Sequence, residues 1–212
     1  MHRIVRFVVW CALIIGVVVG IARLGFLRWW RVPEDDPWLE ASVAPTLRPG
    51  DLVLLWRFTP PSFGDLVLCP EPDAPERVVV GRLLGEEGDA LRVKGERVRV
   101  NDDQAETERS CGEFEVDDPT SRKTVTQRCQ VEVVAGHAHQ RGSVLRGKPE
   151  PREVDVEVPE GKLFLISDNR LYPYDSRDYG PVDRSACTET VFFRLVSRNG
   201  FGDVENRLTF VR

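Results

Sequence analysis

Lysine is nearly missing from this 212-residue chain, where Lys94, Lys123, Lys148 and Lys162 stand against 25 arginines. A mechanism that needs a titratable amine has only those four side chains to draw on, because guanidinium stays protonated at any working pH. Histidine is as scarce: beyond His2 there are only His137 and His139, in a polar stretch where solvent-exposed loop positions are expected. No Cys-x-x-Cys pair and no Cys/His spacing of the zinc-binding kind occurs, so neither a metal nor any other cofactor is expected. Acidic residues are absent from positions 1–31, which hold five arginines, while the rest of the chain sets 24 cationic side chains against 34 acidic ones. A body of that sign repels phosphate backbones, and nucleic acid is excluded as an expected partner. With 42% hydrophobic and 30% charged residues, the chain is neither a disordered tail nor a polytopic membrane protein.

What is present begins with an uncharged run of sixteen residues, Phe7 to Ala22. As a helix it spans roughly 24 Å against a hydrocarbon layer of about 30 Å, and the apolar flanks extend it to a single span near residues 5–27. Arg6 and Arg23 have stems long enough to reach the headgroups, and Trp29, Trp30 and Trp38 follow as interface residues. Membrane lipid is therefore an expected partner. A cleaved signal peptide is the alternative, since Gly20-Ile21-Ala22 offers small residues where a processing enzyme reads them. Arginines on both flanks leave the positive-inside rule nearly silent.

Cysteine usage helps with the side. Cys11 lies in the apolar run, which leaves an even set of Cys69, Cys111, Cys129 and Cys187. Cys111 and Cys129 bracket a stretch with little core material, where closing the loop contributes about 3 kcal/mol if unstrained. A disulfide is favoured there over two reduced thiols, with Cys69 and Cys187 a weaker second pair, and either bridge puts the body outside the cytoplasm.

After a short linker rich in proline and acids at 32–38, apolar residues recur as runs of four to eight bounded by Gly, Pro, Asp or Asn, among them DLVLLWRF, RVVVGRLL, KLFLI and TVFFRLV. Such runs are strands, and no segment past residue 32 keeps a helical period for three turns. The division expected is an anchor and interface segment at 1–31 and a mainly antiparallel β body at 32–212, carrying a polar insertion or subdomain at about 102–153. Lys94-Gly95 reads as a hairpin turn.

Three motifs carry chemistry. The first is Ser42-Val43-Ala44-Pro45-Thr46-Leu47 followed by Gly50-Asp51. The second is Val80-Gly81-Arg82-Leu83-Leu84-Gly85 ending in Gly88-Asp89. The third is Ser167-Asp168-Asn169-Arg170 with Asp175-Ser176-Arg177. In order and spacing they resemble the nucleophile motif, the Lys-Arg strand and the Gly-Asp-Asn-Arg signature of the type I signal peptidases. The match runs from the apolar segment to about Val182. That resemblance implies an antiparallel, barrel-like β catalytic domain with an N-terminal transmembrane helix. It implies a bacterial-type cytoplasmic membrane, with the body on the extracytoplasmic side. It also implies secretory preproteins or other extended peptides as partners. In the family a serine attacks the scissile carbonyl and a neutral lysine takes its proton. Ser42 falls on the nucleophile position. Arg82, Asp168, Asn169, Arg170, Asp175, Ser176 and Arg177 fall on supporting positions, with Asp175 and Arg177 as an ion pair.

The departures surround one chemical event. Gly81 stands where the general-base lysine belongs and has no side chain. Glu40 stands where a hydroxyl residue helps hold the oxyanion, and a carboxylate there opposes it. Pro173 replaces a serine, Val43 a methionine and Ser167 a glycine. Losing general-base help costs about 10²–10⁴ in rate. Two readings stand side by side: a membrane-anchored serine endopeptidase with an unidentified base, for which Lys162 is the first lysine to examine, and a degenerate relative that binds extended peptides or a partner without cutting them.

Overall fold

The fold is described by a computed structural model for residues 2–145 and 153–211. It starts with helix α1 (His2–Gly25), and one residue later the chain enters strand β1 (Leu27–Arg31). A window of α1 at Arg3–Gly20 has a mean hydropathy of 2.2 and none of it is buried against the body, so the helix is long and apolar enough to cross a membrane. Helix α2 (Pro37–Ser42) follows, then β2 (Leu52–Trp56), β3 (Leu66–Glu71), β4 (Ala74–Glu86), β5 (Ala90–Lys94), β6 (Arg97–Val100) and β7 (Asp103–Gln104). Next come β8 (Glu106–Asp117), β9 (Thr124–Val134), β10 (His137–Val144), β11 (Glu153–Glu157) and β12 (Lys162–Ile166). The chain ends with α3 (Ser176–Tyr179), β13 (Val182–Asp183), β14 (Glu189–Val196) and β15 (Thr209–Phe210).

Every strand ladder is antiparallel, and the body is mainly β. The largest sheet runs β1-β2-β14-β3-β4-β12-β13, with β15 on β14. It does not close, which corrects the barrel-like expectation. Among the described residues its strand order ends at β1 on one side and at the two-residue β13 on the other, and the other strands form two separate sheets, β11-β5-β6-β7 and β10-β9-β8. The turn at Lys94-Gly95 joins β5 to β6, with Gly95 at φ +58°, a conformation natural to glycine.

Strand β4 shows why the sheet has this order. Its residues from Val79 to Gly85 are buried on both faces, which suits a run, VVVGRLLG, that is apolar apart from the ion-paired Arg82. Val80 packs with Leu39 and Val43 beside α2, while Val79 and Leu83 pack with Leu163 and Leu165 on the opposite face. That second cluster includes Cys69 and Cys187, joined as a disulfide, and Cys111 is joined to Cys129 across β8 and β9. Strand β1 is held to β2 through five residue pairs, and Arg28 lies 2.6 Å from Glu189 of β14. Non-reducing peptide mapping of the native protein should recover the pairs Cys69–Cys187 and Cys111–Cys129, with Cys11 alkylated without reduction; free Cys111 and Cys129 would contradict the bridge between β8 and β9.

Candidate functional site

Helix α2 presents Ser42. Asp36 caps its start by accepting from the backbone N–H groups of Trp38 at 3.1 Å and Leu39 at 3.0 Å, and Pro37 in the first turn adds a preset φ. The helix buries Leu39, Ala41 and Ser42. Ser42 is fully buried, and its hydroxyl donates to the Leu39 carbonyl at 3.0 Å. That bond occupies the proton a base would have to take.

The residues of the third motif converge on this helix. The Asn169 N–H donates to the Ser42 carbonyl at 3.0 Å. Asp168, 1% exposed, accepts from Arg82 Nε at 3.2 Å, Arg82 Nη2 at 2.7 Å and the Thr46 hydroxyl at 2.5 Å. Burial pushes its carboxyl up, but the Arg82 charge and these hydrogen bonds outweigh that and leave it below its ordinary 3.8. Asp175 repeats the arrangement: Arg177 meets it through Nε at 2.8 Å and Nη2 at 2.7 Å, and the Ser167 N–H donates to it at 2.7 Å. Ser176 accepts from the Leu165 N–H at 3.0 Å.

Arg170 reaches a partner that the sequence did not suggest. Its guanidinium pairs with Glu132 of β9, and Arg141 Nε and His139 Nε2 each lie 3.3 Å from the same carboxylate. Burial raises the Glu132 carboxyl, and Arg170, His139 and Arg141 more than reverse this, bringing it to about 2. His139 was expected on an exposed loop and is instead 3% exposed on β10; His137, on the same strand, is exposed. The two-residue alternation of HAHQR carries the reason: His139 and Arg141 share one face of β10, and His139 pairs directly with Glu132 across the Ala135-Gly136 hairpin. His137 lies on that same face at the start of the strand and is exposed, so alternation alone did not mark the buried positions.

Gly81 leaves no room for what is missing. A Cβ there would lie 2.9 Å from Leu165 Cβ and 3.4 Å from the Ile166 carbonyl, so β12 runs tight against the position. Of the four lysines, Lys162 pairs with Asp183 at 2.5 Å at the edge of the main sheet, Lys94 with Glu153 at 3.2 Å, Lys123 is exposed, and Lys148 lies outside the described residues. Among the described residues no lysine is buried. Glu40 points its carboxylate to Arg122 at 3.6 Å, and burial holds its pKa above 4.5 despite that charge. The hairpin formed by β8 and β9 covers this side of α2, with Phe114 and Val116 packed against Ala41 and Ala44.

With that geometry established, the family model for signal peptidase, peptidase S26, matches residues 4–196. The chain is 25% identical over 171 residues to signal peptidase I of Streptococcus pneumoniae, covering 73% of this chain and 78% of that protein. It is 28% identical over 149 residues to signal peptidase I V of Bacillus subtilis, covering 66% and 73%. A more distant likeness, 24% over 166 residues and covering 76% and 69%, is to the mitochondrial ATP-independent inner membrane protease subunit 1b of Arabidopsis thaliana. The crystal structure of a signal peptidase I from Enterococcus faecalis aligns with a TM-score of 0.40 at 18% identity, covering 63% of this chain and 97% of that one.

The buried charges set a pH dependence of stability. His139 is held below its ordinary 6.5, first by burial and then by Arg82 and Arg170, against attraction from Glu132 and Asp168. The unfolded chain therefore binds a proton that the folded chain refuses, and stability present above pH 6.5 is lost as pH falls below it. Glu132 adds a second loss from 4.5 down toward about 2. The melting temperature of the full chain in detergent should be level at neutral to mildly alkaline pH, decline below 6.5 and steepen below 4.5. His139→Gln should remove the first limb; a wild-type curve already level between those two values would contradict the assignment.

Proposed function

Since the chain belongs to the signal peptidase family, peptidase S26, we propose that it is a membrane-anchored member that binds extended peptides of the secretory kind without cutting them at a useful rate. The observation that carries this is the closure of the base position, where Gly81 has no side chain and a Cβ would stand 2.9 Å from Leu165 Cβ. Ser42 supports it, being fully buried with its hydroxyl committed to the Leu39 carbonyl. In the same reading residues 1–31 are the anchor and interface segment, residues 32–212 the peptide-binding body with its insertion at about 102–153, and the body lies on the extracytoplasmic side of a bacterial-type cytoplasmic membrane.

The Arg82–Asp168 and Asp175–Arg177 pairs favour a second reading, a slow serine endopeptidase on an intact scaffold. Incubation of the detergent-solubilised protein with a preprotein, beside Ser42→Ala, separates the two. No product above the Ser42→Ala background is expected, and robust cleavage abolished by Ser42→Ala would overturn the non-cutting reading. Gly81→Lys alone should gain little, because the added Cβ collides with Leu165. Gly81→Lys with Leu165→Gly, which removes the Cβ it meets, should exceed it, and Glu40→Ser with Pro173→Ser should add further, non-additively, as groups acting on one event do. For topology, protease added to intact spheroplasts should digest the body, whereas complete protection would reverse the orientation.

A further inference from the structure

Gln127 of β9 is fully buried, and among the described residues neither its Oε1 nor its Nε2 has a hydrogen-bond partner. The Nδ2 of Asn169, also fully buried, is equally bare. A buried amide left unpaired is costly, and replacing it by an apolar side chain of similar shape is often neutral or stabilising, so its presence asks for a partner.

Gln127 approaches Gly142, and the backbone of Asn169 bridges to the same glycine. A Cβ on Gly142 would lie 2.9 Å from Gln127 Oε1 and 2.8 Å from Phe114 Cζ, so the glycine lets Gln127 approach the strand backbone. Gly142 is itself bonded to the third motif: its N–H donates to the Asp168 carbonyl at 2.8 Å, its carbonyl accepts from the Arg170 N–H at 2.9 Å, and Asn169 lies beside it as a parallel bridge. Asn169 then bonds to Ser42. Gln127 Oε1 thus lies beside a strand whose backbone is bonded to the segment that holds Ser42, and within the hairpin of β8 and β9 Gln127 lies directly opposite Phe114.

The far end of that hairpin rests on α2 through a small set of contacts. Phe114 and Val116 cover Ala41 and Ala44, the Tyr172 hydroxyl donates to Asp118 at 3.1 Å, and Arg122 stands 3.6 Å from Glu40. A cleft of about 630 Å³, lined by Glu40, Ala44, Phe114, Val116 and Arg122 among others, runs along the same contact. A primary amide offers both a donor and an acceptor, the pair that matches the C=O and N–H of an extended peptide.

We propose that Gln127, on the β8 and β9 hairpin, and Asn169, in the third motif, are contacts for the backbone of an extended peptide, both sealed in the free protein where the hairpin closes on α2 and both uncovered when it lifts as peptide enters. The inference rests on the peptide-binding reading above and adds the residues that read the backbone and the segment that moves.

The test uses the full chain in detergent and a fluorescein-labelled synthetic peptide carrying an Ala-x-Ala segment, with binding followed by anisotropy and stability by thermal melting. Gln127→Met should weaken binding about tenfold, the value of one well-made hydrogen bond, while leaving the melting temperature unchanged or higher. Hydrogen exchange on the unaltered protein gives an independent measure: peptide should speed exchange at the Phe114–Asp117 amides, and Tyr172→Phe should speed it without peptide. If the wild type binds and Gln127→Met binds equally well with a lowered melting temperature, Gln127 is a core residue satisfied by water and the proposal is overturned. Unchanged exchange at Phe114–Asp117 on saturation with peptide overturns the lifting hairpin. A wild type that binds no peptide overturns the peptide-binding reading itself and this inference with it.

Discussion

The carboxylate of Asp168 is 1% exposed yet ionised, because Arg82 meets it with two nitrogens and Thr46 with a hydroxyl, and these three residues come from three distant stretches of chain. Arg82 belongs to β4 at the middle of the main sheet, Thr46 to the loop after α2, and Asp168 to the segment after β12. The pair therefore sets where Ser42 sits relative to the sheet. Removing either partner leaves an uncompensated buried charge, which costs about 3–5 kcal/mol in comparable cases. Arg82 Nη1 also donates to the Gly64 carbonyl at 3.1 Å, which carries the same constraint to the entry of β3.

Around that pair the protein separates positioning from reactivity. The second buried pair, Asp175–Arg177, orders the end of the third motif, and the Asn169 N–H fixes the Ser42 carbonyl. Nothing in this framework needs an amine. A side chain at position 81 would face Leu165 on β12, across a part of the core closed by the Cys69–Cys187 bridge. The sheet of β8, β9 and β10 adds a second electrostatic centre, in which Glu132 gathers Arg170, Arg141 and His139. Arg170 belongs to the motif and Glu132 to β9, so the β8, β9 and β10 sheet is docked by charge as well as by the Gly142 backbone.

What could be read in advance follows from the range of each signal. Short apolar runs closed by glycine and proline report strands locally, and β4, β12 and β14 lie where such runs occur. Motif order placed Ser42, Arg82 and Asp168 in sequence, but not the orientation of the Ser42 hydroxyl toward Leu39, which depends on one side-chain torsion in a buried helix end. Barrel closure could not be read either, because it is decided by whether the edges of β1 and β13 meet, and strand patterns say nothing of edges. His139 was misplaced because its polarity was read as exposure. In a stretch so rich in charge, the residues facing inward are polar too, and only the pairing of His139 with Glu132 across the hairpin shows which face is buried.

The passage from α1 to β1 has a mechanical meaning. Phe26 alone separates Gly25 from Leu27, a reach of about 7 Å at full extension, and the strand that follows is paired residue by residue with β2. A domain on a long flexible leash samples a broad volume and meets its targets by diffusion over that volume. Here there is no slack to sample. Under the membrane-anchored reading proposed above, a bilayer gripping α1 would also set the height and heading of the sheet, and any chain the body engages would have to be presented at a fixed level above the lipid.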